Sequence, residues 1–170
     1  NADLVLLTEL SHMLGEETQL PEILRTLIDG LRRALKVDCA AFYLVDDESG
    51  DLHRALPAEA TRSEAEPNPT LELRSLPDVA DKIAAREPAL LDTEDSQRLR
   101  AAIGGVAGPF RSSAVFPMSH QGELLGVIAL AGNRDDVGQN PRDRFFATIV
   151  TAFAAVAVKR AEMFQSVRFE

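Results

Sequence analysis

Residues 111–164, RSSAVFPMSHQGELLGVIALAGNRDDVGQNPRDRFFATIVTAFAAVAVKRAEMF, read in order as a strand, a tight turn, a second strand, a loop and one long helix. Arg111 leads the first strand, which ends at Pro117-Met118, and Gln121-Gly122-Glu123 makes the turn. The run Leu124–Ala131 is almost continuously apolar, the pattern of a strand buried on both faces and therefore central in its sheet. A loop and one long helix from Arg142 to Val167 follow.

Upstream of this stretch the same rules place the remaining elements. Leu4, Leu7, Leu10 and Leu14 share one face of a short amphipathic helix. Thr18 caps a second helix, with Pro21 in its first turn and a broad apolar stripe from Leu20 through Ile23, Leu24, Leu27, Ile28 and Leu31 to Leu35. Ala40–Val45 and Leu52–Leu56 flank the polar turn Asp46–Asp51 as a hairpin. Residues 57–70, rich in Pro and Glu, read as a loop excursion. Leu71–Leu73 is expected as a short strand, Pro77–Arg86 as a helix with Val79, Ile83 and Ala84 inward, and Pro88–Asp92 as an extended piece. A helix or loop then leads to Gly104-Gly105 and Gly108-Pro109, which suit a mobile cover.

At 170 residues with 45% apolar and 26% charged side chains, the chain has the size and composition of a single domain with its own core. Residues 3–170 are taken as that domain, residues 1–2 as the remnant of a cleaved tag, and residues 159–170 as the start of a signalling helix toward a further domain. A formal charge of −9 opposes binding to nucleic acid, which needs clustered Lys and Arg. Cys39 is the one cysteine, so no intrachain disulfide forms, and its place in an apolar run marks a buried core residue. A cytoplasmic location is expected. The uncharged segment from Phe145 to Val158 is too short to cross a bilayer.

In the last helix Phe146, Ile149, Phe153, Val156, Met163 and Val167 recur at steps of three and four, a heptad-like seam beside a line of smaller residues at Ala147, Thr151, Ala154, Val158 and Ala161. Two apolar faces imply two neighbours. A helix of about 26 residues reaches about 39 Å, more than a small sheet needs for cover. The expectation is a parallel homodimer built from this helix and Leu4–Leu14.

Arg111, Pro117-Met118, Gln121-Gly122-Glu123, Leu125-Gly126-Val127 and Pro141-Arg142-Asp143 together resemble the C-terminal half of a GAF domain, and the likeness extends more loosely to residues 40–56 and 76–92. The resemblance implies an α+β fold, an α/β/α sandwich. Its central antiparallel sheet has about five or six strands, with the N- and C-terminal helices on one face and short helices and loops roofing a ligand pocket on the other. It also implies a regulatory sensor of a bacterial signalling protein. Residues 163–170 resemble the helix that often precedes a GGDEF-type diguanylate cyclase, with a histidine kinase as the rival output.

Tyr43, Arg111 and Ser113 are the expected ligand-binding residues, because they lie on strands whose alternate side chains can face the roof. Arg111 would pair with a ligand carboxylate or phosphate. In the opposing reading Tyr43 packs in the core and Arg111 bonds Asp92 or a backbone carbonyl. His12, His53 and His120 are scattered, and no metal-ligand spacing is present. The cyclic-nucleotide GAF signature is matched only at Asn133 and Asp143, and a covalently attached bilin is disfavoured because Cys39 sits at the first strand. No catalytic residue is assigned, and the cofactor, the ligand and the output stay unidentified. A ligand-free dimerisation module is the alternative. A relative of the enzymes that reduce free methionine sulfoxide is a third reading, opposed by the single cysteine.

Overall fold

Alternation within the strands builds the two-sided core. The computed structural model describes residues 20–46, 51–55, 59–60, 70–103 and 110–169, with side chains as far as residue 162. The expected helix at Leu4–Leu14, the Thr18 cap, His12, most of the 57–70 loop and the glycines at 104, 105 and 108 lie outside these residues.

Helix α1 (Leu20–Leu35) leads to β1 (Cys39–Val45), which turns back as β2 (Leu52–Arg54). The pairing Tyr43 with Arg54 and Val45 with Leu52 makes the expected hairpin, closed by the Asp46 N–H donating to the Asp51 carbonyl at 2.8 Å. The two-residue strand β3 (Glu59–Ala60) then pairs with the start of β1. Next come β4 (Thr70–Leu71), a 3-10 turn (Leu73–Ser75), α2 (Pro77–Ala84), β5 (Ala89–Leu91) and α3 (Thr93–Ile103). The chain continues through β6 (Ser112–His120), β7 (Glu123–Gly132) and α4 (Pro141–Phe169). Two expectations shift here. Leu73 enters the 3-10 turn rather than a strand, and Ala84 is exposed at the end of α2, where only Val79 and Ile83 point inward.

The sheet is antiparallel throughout, in the order β4-β2-β1-β7-β6-β5, with β3 off this path beside β1. β7 is central, as its continuous apolar sequence requires, and every residue from Leu125 to Gly132 is buried. β6 and β7 join through Gln121 and Gly122, both at positive φ (52° and 85°), the backbone of a two-residue type I′ hairpin. Three residues into β7, Gly126 is required by close approach. A Cβ there would lie 2.0 Å from the Tyr43 carbonyl oxygen.

Because successive strand residues face opposite sides, the sheet divides its apolar residues into two cores. Ala40, Phe42, Ala114, Phe116, Met118, Ile128 and Leu130 pack under α1 and α4. Cys39, Ala41, Tyr43, Val115, Val127, Ala129 and Ala131 face the roof, where Leu71, Leu76, Val79, Ile83, Leu99 and Ile103 come down on them. α4 starts at an Asn140 cap, whose Oδ1 accepts the Asp143 N–H at 2.8 Å. Arg142 donates to the Ala34 carbonyl at 3.0 Å and so ties the start of α4 to the end of α1.

The line of small residues on α4 is the face that lies on the core, with Ala147, Thr151, Ala154 and Val158 all buried. Phe146 joins them at 4% exposure, which removes it from the expected seam. The outward stripe begins one residue earlier, at Phe145 (58% exposed), and continues through Ile149 and Ala152 to Val156 (44%). The reason is angular. Phe146 precedes Val150 and Ala154 by four and eight residues, the spacing of a single helix face, and both of those are fully buried.

Candidate ligand-binding site

β1 and β2 present Tyr43 and Arg54 to the roof side as a cross-strand pair. Period-two alternation in Leu52-His53-Arg54 sends Leu52 inward and His53 outward, and returns Arg54 to the inner side. The Tyr43 side chain is fully buried, and its hydroxyl accepts a hydrogen bond from Arg54 Nη2. The Arg54 guanidinium carbon stands 5.1 Å from the Tyr43 ring centroid, within cation–π range. Nη2 also donates to the Ile103 carbonyl at 3.4 Å, so Arg54 connects the hairpin to the last turn of α3.

The positive charge acts on its surroundings. Burial pushes the Tyr43 phenol up to about 12, with Arg54 pulling it back. Burial pushes the Cys39 thiol up to about 11, with Arg54 and then Arg32 opposing. A thiol in that range is protonated at neutral pH, the opposite of a nucleophilic cysteine.

Ser113 and Arg111 are not brought to this pair. Ser113 lies two strands from β1, in line with Ala131 and Cys39. From Tyr43 that is roughly 10 Å across the sheet and 13 Å along it. Its hydroxyl is buried and bonded to Ser96 Oγ at 2.7 Å, while Ser96 Oγ reaches the Leu91 carbonyl at 3.4 Å. Ser113 thus fastens α3 to the sheet. Arg111 precedes β6, is half exposed, and pairs with Asp135 at 2.8 Å. Asp92, its alternative partner from sequence, instead caps α3, accepting the Asp95 N–H at 2.9 Å. Asp143 is buried and holds Arg134 Nη2 at 2.7 Å and the Gly138 N–H at 3.0 Å, a structural employment for a residue that matches the cyclic-nucleotide signature.

Two clefts open elsewhere. One of about 430 Å³ lies between α2, β5 and the start of α3, lined by Asp78, Asp81, Lys82, Glu87 and Asp95. The other, about 370 Å³, lies between the end of α1 and the start of α4. Neither is lined by Tyr43, Arg54, Arg111 or Ser113. Among the described residues no cluster of three or more His, Cys, Asp or Glu side chains is placed to hold a metal ion, and no helix is long and apolar enough to cross a membrane.

Arg54 was not legible as a site residue from composition, because an arginine in a short polar hairpin reads as exposed. The signal that finds it is the alternation just described.

Solved structures share this architecture. The GAF domain of an Acinetobacter phosphoenolpyruvate-protein phosphotransferase is 17% identical, with 96% of each chain covered and a TM-score of 0.70. A GAF domain/HD domain protein from Geobacter sulfurreducens is 18% identical over 88% of this chain and 99% of that one, with a TM-score of 0.68. The free methionine-R-sulfoxide reductase of Neisseria meningitidis is 16% identical over 93% and 89%, with a TM-score of 0.67. At these identities the likeness shows the fold alone. No curated protein matches the sequence. The family model for the GAF domain matches residues 17–159, and with the strand order and the two-sided core it establishes that this chain belongs to the GAF domain family.

Proposed function

We propose that this GAF domain is the small-molecule-sensing, regulatory part of a bacterial, cytoplasmic signal-transduction protein, acting as a parallel homodimer. A ligand held beneath the roof would bias two arrangements of α4, and α4 would carry that bias to an output domain, a diguanylate cyclase or a histidine kinase. The bias extends only as far as the ligand discriminates between the two arrangements. The observation that carries this reading is α4 itself. It is 29 residues long, is packed on the sheet and α1 along one face, and carries exposed Phe145 and Val156 along the other. Of the three residues expected from sequence to meet the ligand, Tyr43 and Ser113 face the roof, and Ser113 is already bonded to Ser96 of α3. Arg111 and Ser113 enter the site only if they exchange their present partners.

One observation favours a second reading, a ligand-free dimerisation module. Much of the roof-side floor is small, at Cys39, Ala41, Ala129 and Ala131, and larger residues from the roof pack in the same cluster. An enzyme of the methionine sulfoxide reductase type is opposed by the buried, protonated Cys39.

Native mass spectrometry of the purified domain tests these readings together. A dimer carrying a defined extra mass supports the sensor, an adduct-free dimer favours the dimerisation module, and an adduct-free monomer overturns both.

A further inference from the structure

A guanidinium offers five N–H donors and no acceptor. In Arg54 the two on Nη2 are taken by the Tyr43 hydroxyl and the Ile103 carbonyl. The remaining three, one on Nε and two on Nη1, belong to buried nitrogens without a hydrogen-bond partner. Both acceptors that Arg54 does have are neutral oxygens. Arg54 as a whole is part-buried, but donors held on buried nitrogens without acceptors are costly. Arg134 also carries a buried Nε without a partner, but it has Asp136 and Asp143 against its other nitrogens. Among the described residues Arg54 has no such ion pair, and it sits on the side of the sheet where the sensor reading places a ligand.

We infer that the molecule sensed by this domain is an oxyanion, a small carboxylic acid or phosphate ester, and that Arg54 is the residue that recognises it. The inference rests on the sensor reading and deepens it. Nε and Nη1 donate to the anion. The Tyr43 hydroxyl engages Nη2 and its ring faces the guanidinium carbon, so Tyr43 holds the guanidinium in place as a positioning residue. The Arg54 bond to the Ile103 carbonyl also joins anion occupancy to the C-terminal end of α3, the roof element that Ser113 anchors at its other end.

The test is a titration of the isotope-labelled domain, following the side-chain Nε–H resonance of Arg54, assigned by its loss in Arg54→Lys. The probes are inorganic phosphate and acetate, with sodium chloride at matched ionic strength as the control. A saturable shift with phosphate or acetate and none with chloride is expected, and the probe that binds more tightly separates a phosphate ester from a carboxylic acid. Arg54→Met should weaken binding roughly tenfold to a hundredfold, the loss expected for hydrogen bonds to a charged group, while Arg98→Gln on the exposed face of α3 leaves it unchanged. An Arg54 resonance that ignores both probes, or follows chloride equally, means that ordered water alone satisfies the guanidinium and overturns the assignment. A set of neutral and cationic metabolites separates the two levels of the argument. If one of them shifts the Leu99 and Ile103 methyl resonances while the Arg54 signal stays still, the sensor stands and the oxyanion falls. If no probe of any charge moves these methyls, both fall. The wild-type titration decides even where Arg54→Met fails to fold.

Discussion

The Tyr43 hydroxyl accepts a hydrogen bond from Arg54 Nη2, and the same guanidinium stands 5.1 Å from the centre of the Tyr43 ring. One aromatic side chain therefore supplies both an acceptor and a π-face to a cation that has no carboxylate partner among the described residues. The two residues should respond very differently to deletion. Tyr43→Phe keeps the ring and removes the acceptor, leaving a further buried N–H unpaired, at a cost of about 1–3 kcal/mol. Arg54→Met removes the charge together with its unmet donors and should be neutral or stabilising, as buried ions replaced by apolar groups often are. Urea unfolding of both variants checks the asymmetry. Equal destabilisation would mean that Arg54 is already fully satisfied.

Alkaline pH should unfold the domain through Cys39 and Tyr43. Both are acids whose folded pKa lies above the ordinary value, about 11 against 9.0 for the thiol and about 12 against 10.0 for the phenol. Below pH 9 both groups are protonated in the folded and the unfolded chain, and their contribution to stability is fully present. As pH rises through this range the unfolded chain releases protons that the folded one keeps, so stability falls progressively until about pH 12. Denaturant midpoints measured at rising pH should decline in wild type and decline less in Cys39→Ala. A thiol reagent at neutral pH should label Cys39 only as fast as the domain opens.

The two glycines of the β6–β7 hairpin separate conformational strain from steric strain. At Gly122 a Cβ would meet nothing within 4 Å, so Gly122→Ala costs only what a left-handed backbone (φ 85°) demands of an L-residue, about 1 kcal/mol. At Gly126 the Cβ would collide with the Tyr43 carbonyl at 2.0 Å, and β1 would have to move away from β7. Gly126→Ala should cost at least the 1–3 kcal/mol typical of overpacking. It should also disturb the Tyr43–Arg54 pair, whereas Gly122→Ala leaves that pair intact. Thermal unfolding together with the Arg54 side-chain resonance checks both.

Ser113 and Ser96 form a buried hydroxyl pair between β6 and α3. Removing either alone strands a hydroxyl, so Ser113→Ala and Ser96→Ala should each cost about 1 kcal/mol or slightly more, and the double variant less than their sum. A double-mutant cycle by chemical denaturation measures the coupling. Additive losses would show that the contact contributes nothing of its own.

What was legible in the sequence follows from how local each signal is. The β6–turn–β7–α4 stretch announces itself through a Gly-containing turn, a continuous apolar run and a Pro-Asp helix start, each acting within a few residues. The face assignments needed more. Phe145 and Phe146 are adjacent, equally apolar and equally compatible with a seam, and only the packing of α4 on β6 and α1 sends the second inward. Arg111 was a plausible ligand contact by type, but its partner Asp135 lies 24 residues along the chain, in a loop whose path no periodicity predicts. Arg54 carries the reverse lesson. Its alternation was readable, but its unmet donors depend on the end of α3, 49 residues away.

The bare stripe of α4 makes the sharpest demand on the proposed assembly. Among its described residues, Phe145 at 58% and Val156 at 44% exposure are the large apolar side chains this helix leaves in water, and they lie eleven residues apart, almost the same angle after three turns. Ile149 and Ala152 fall between them, giving steps of four, three and four, the spacing at which two helices interlock. A partner helix laid along this stripe would cover all four without disturbing Phe146, Val150 or Ala154, which already belong to the core. Phe145→Glu with Val156→Glu should therefore convert the dimer to a monomer in size-exclusion chromatography with light scattering, while the circular dichroism spectrum of the folded domain is retained. Phe146→Glu, one residue away, should unfold the domain instead. A wild-type monomer across micromolar concentrations, or a dimer indifferent to both glutamates, would place any assembly surface elsewhere and deprive α4 of its proposed role in transmission.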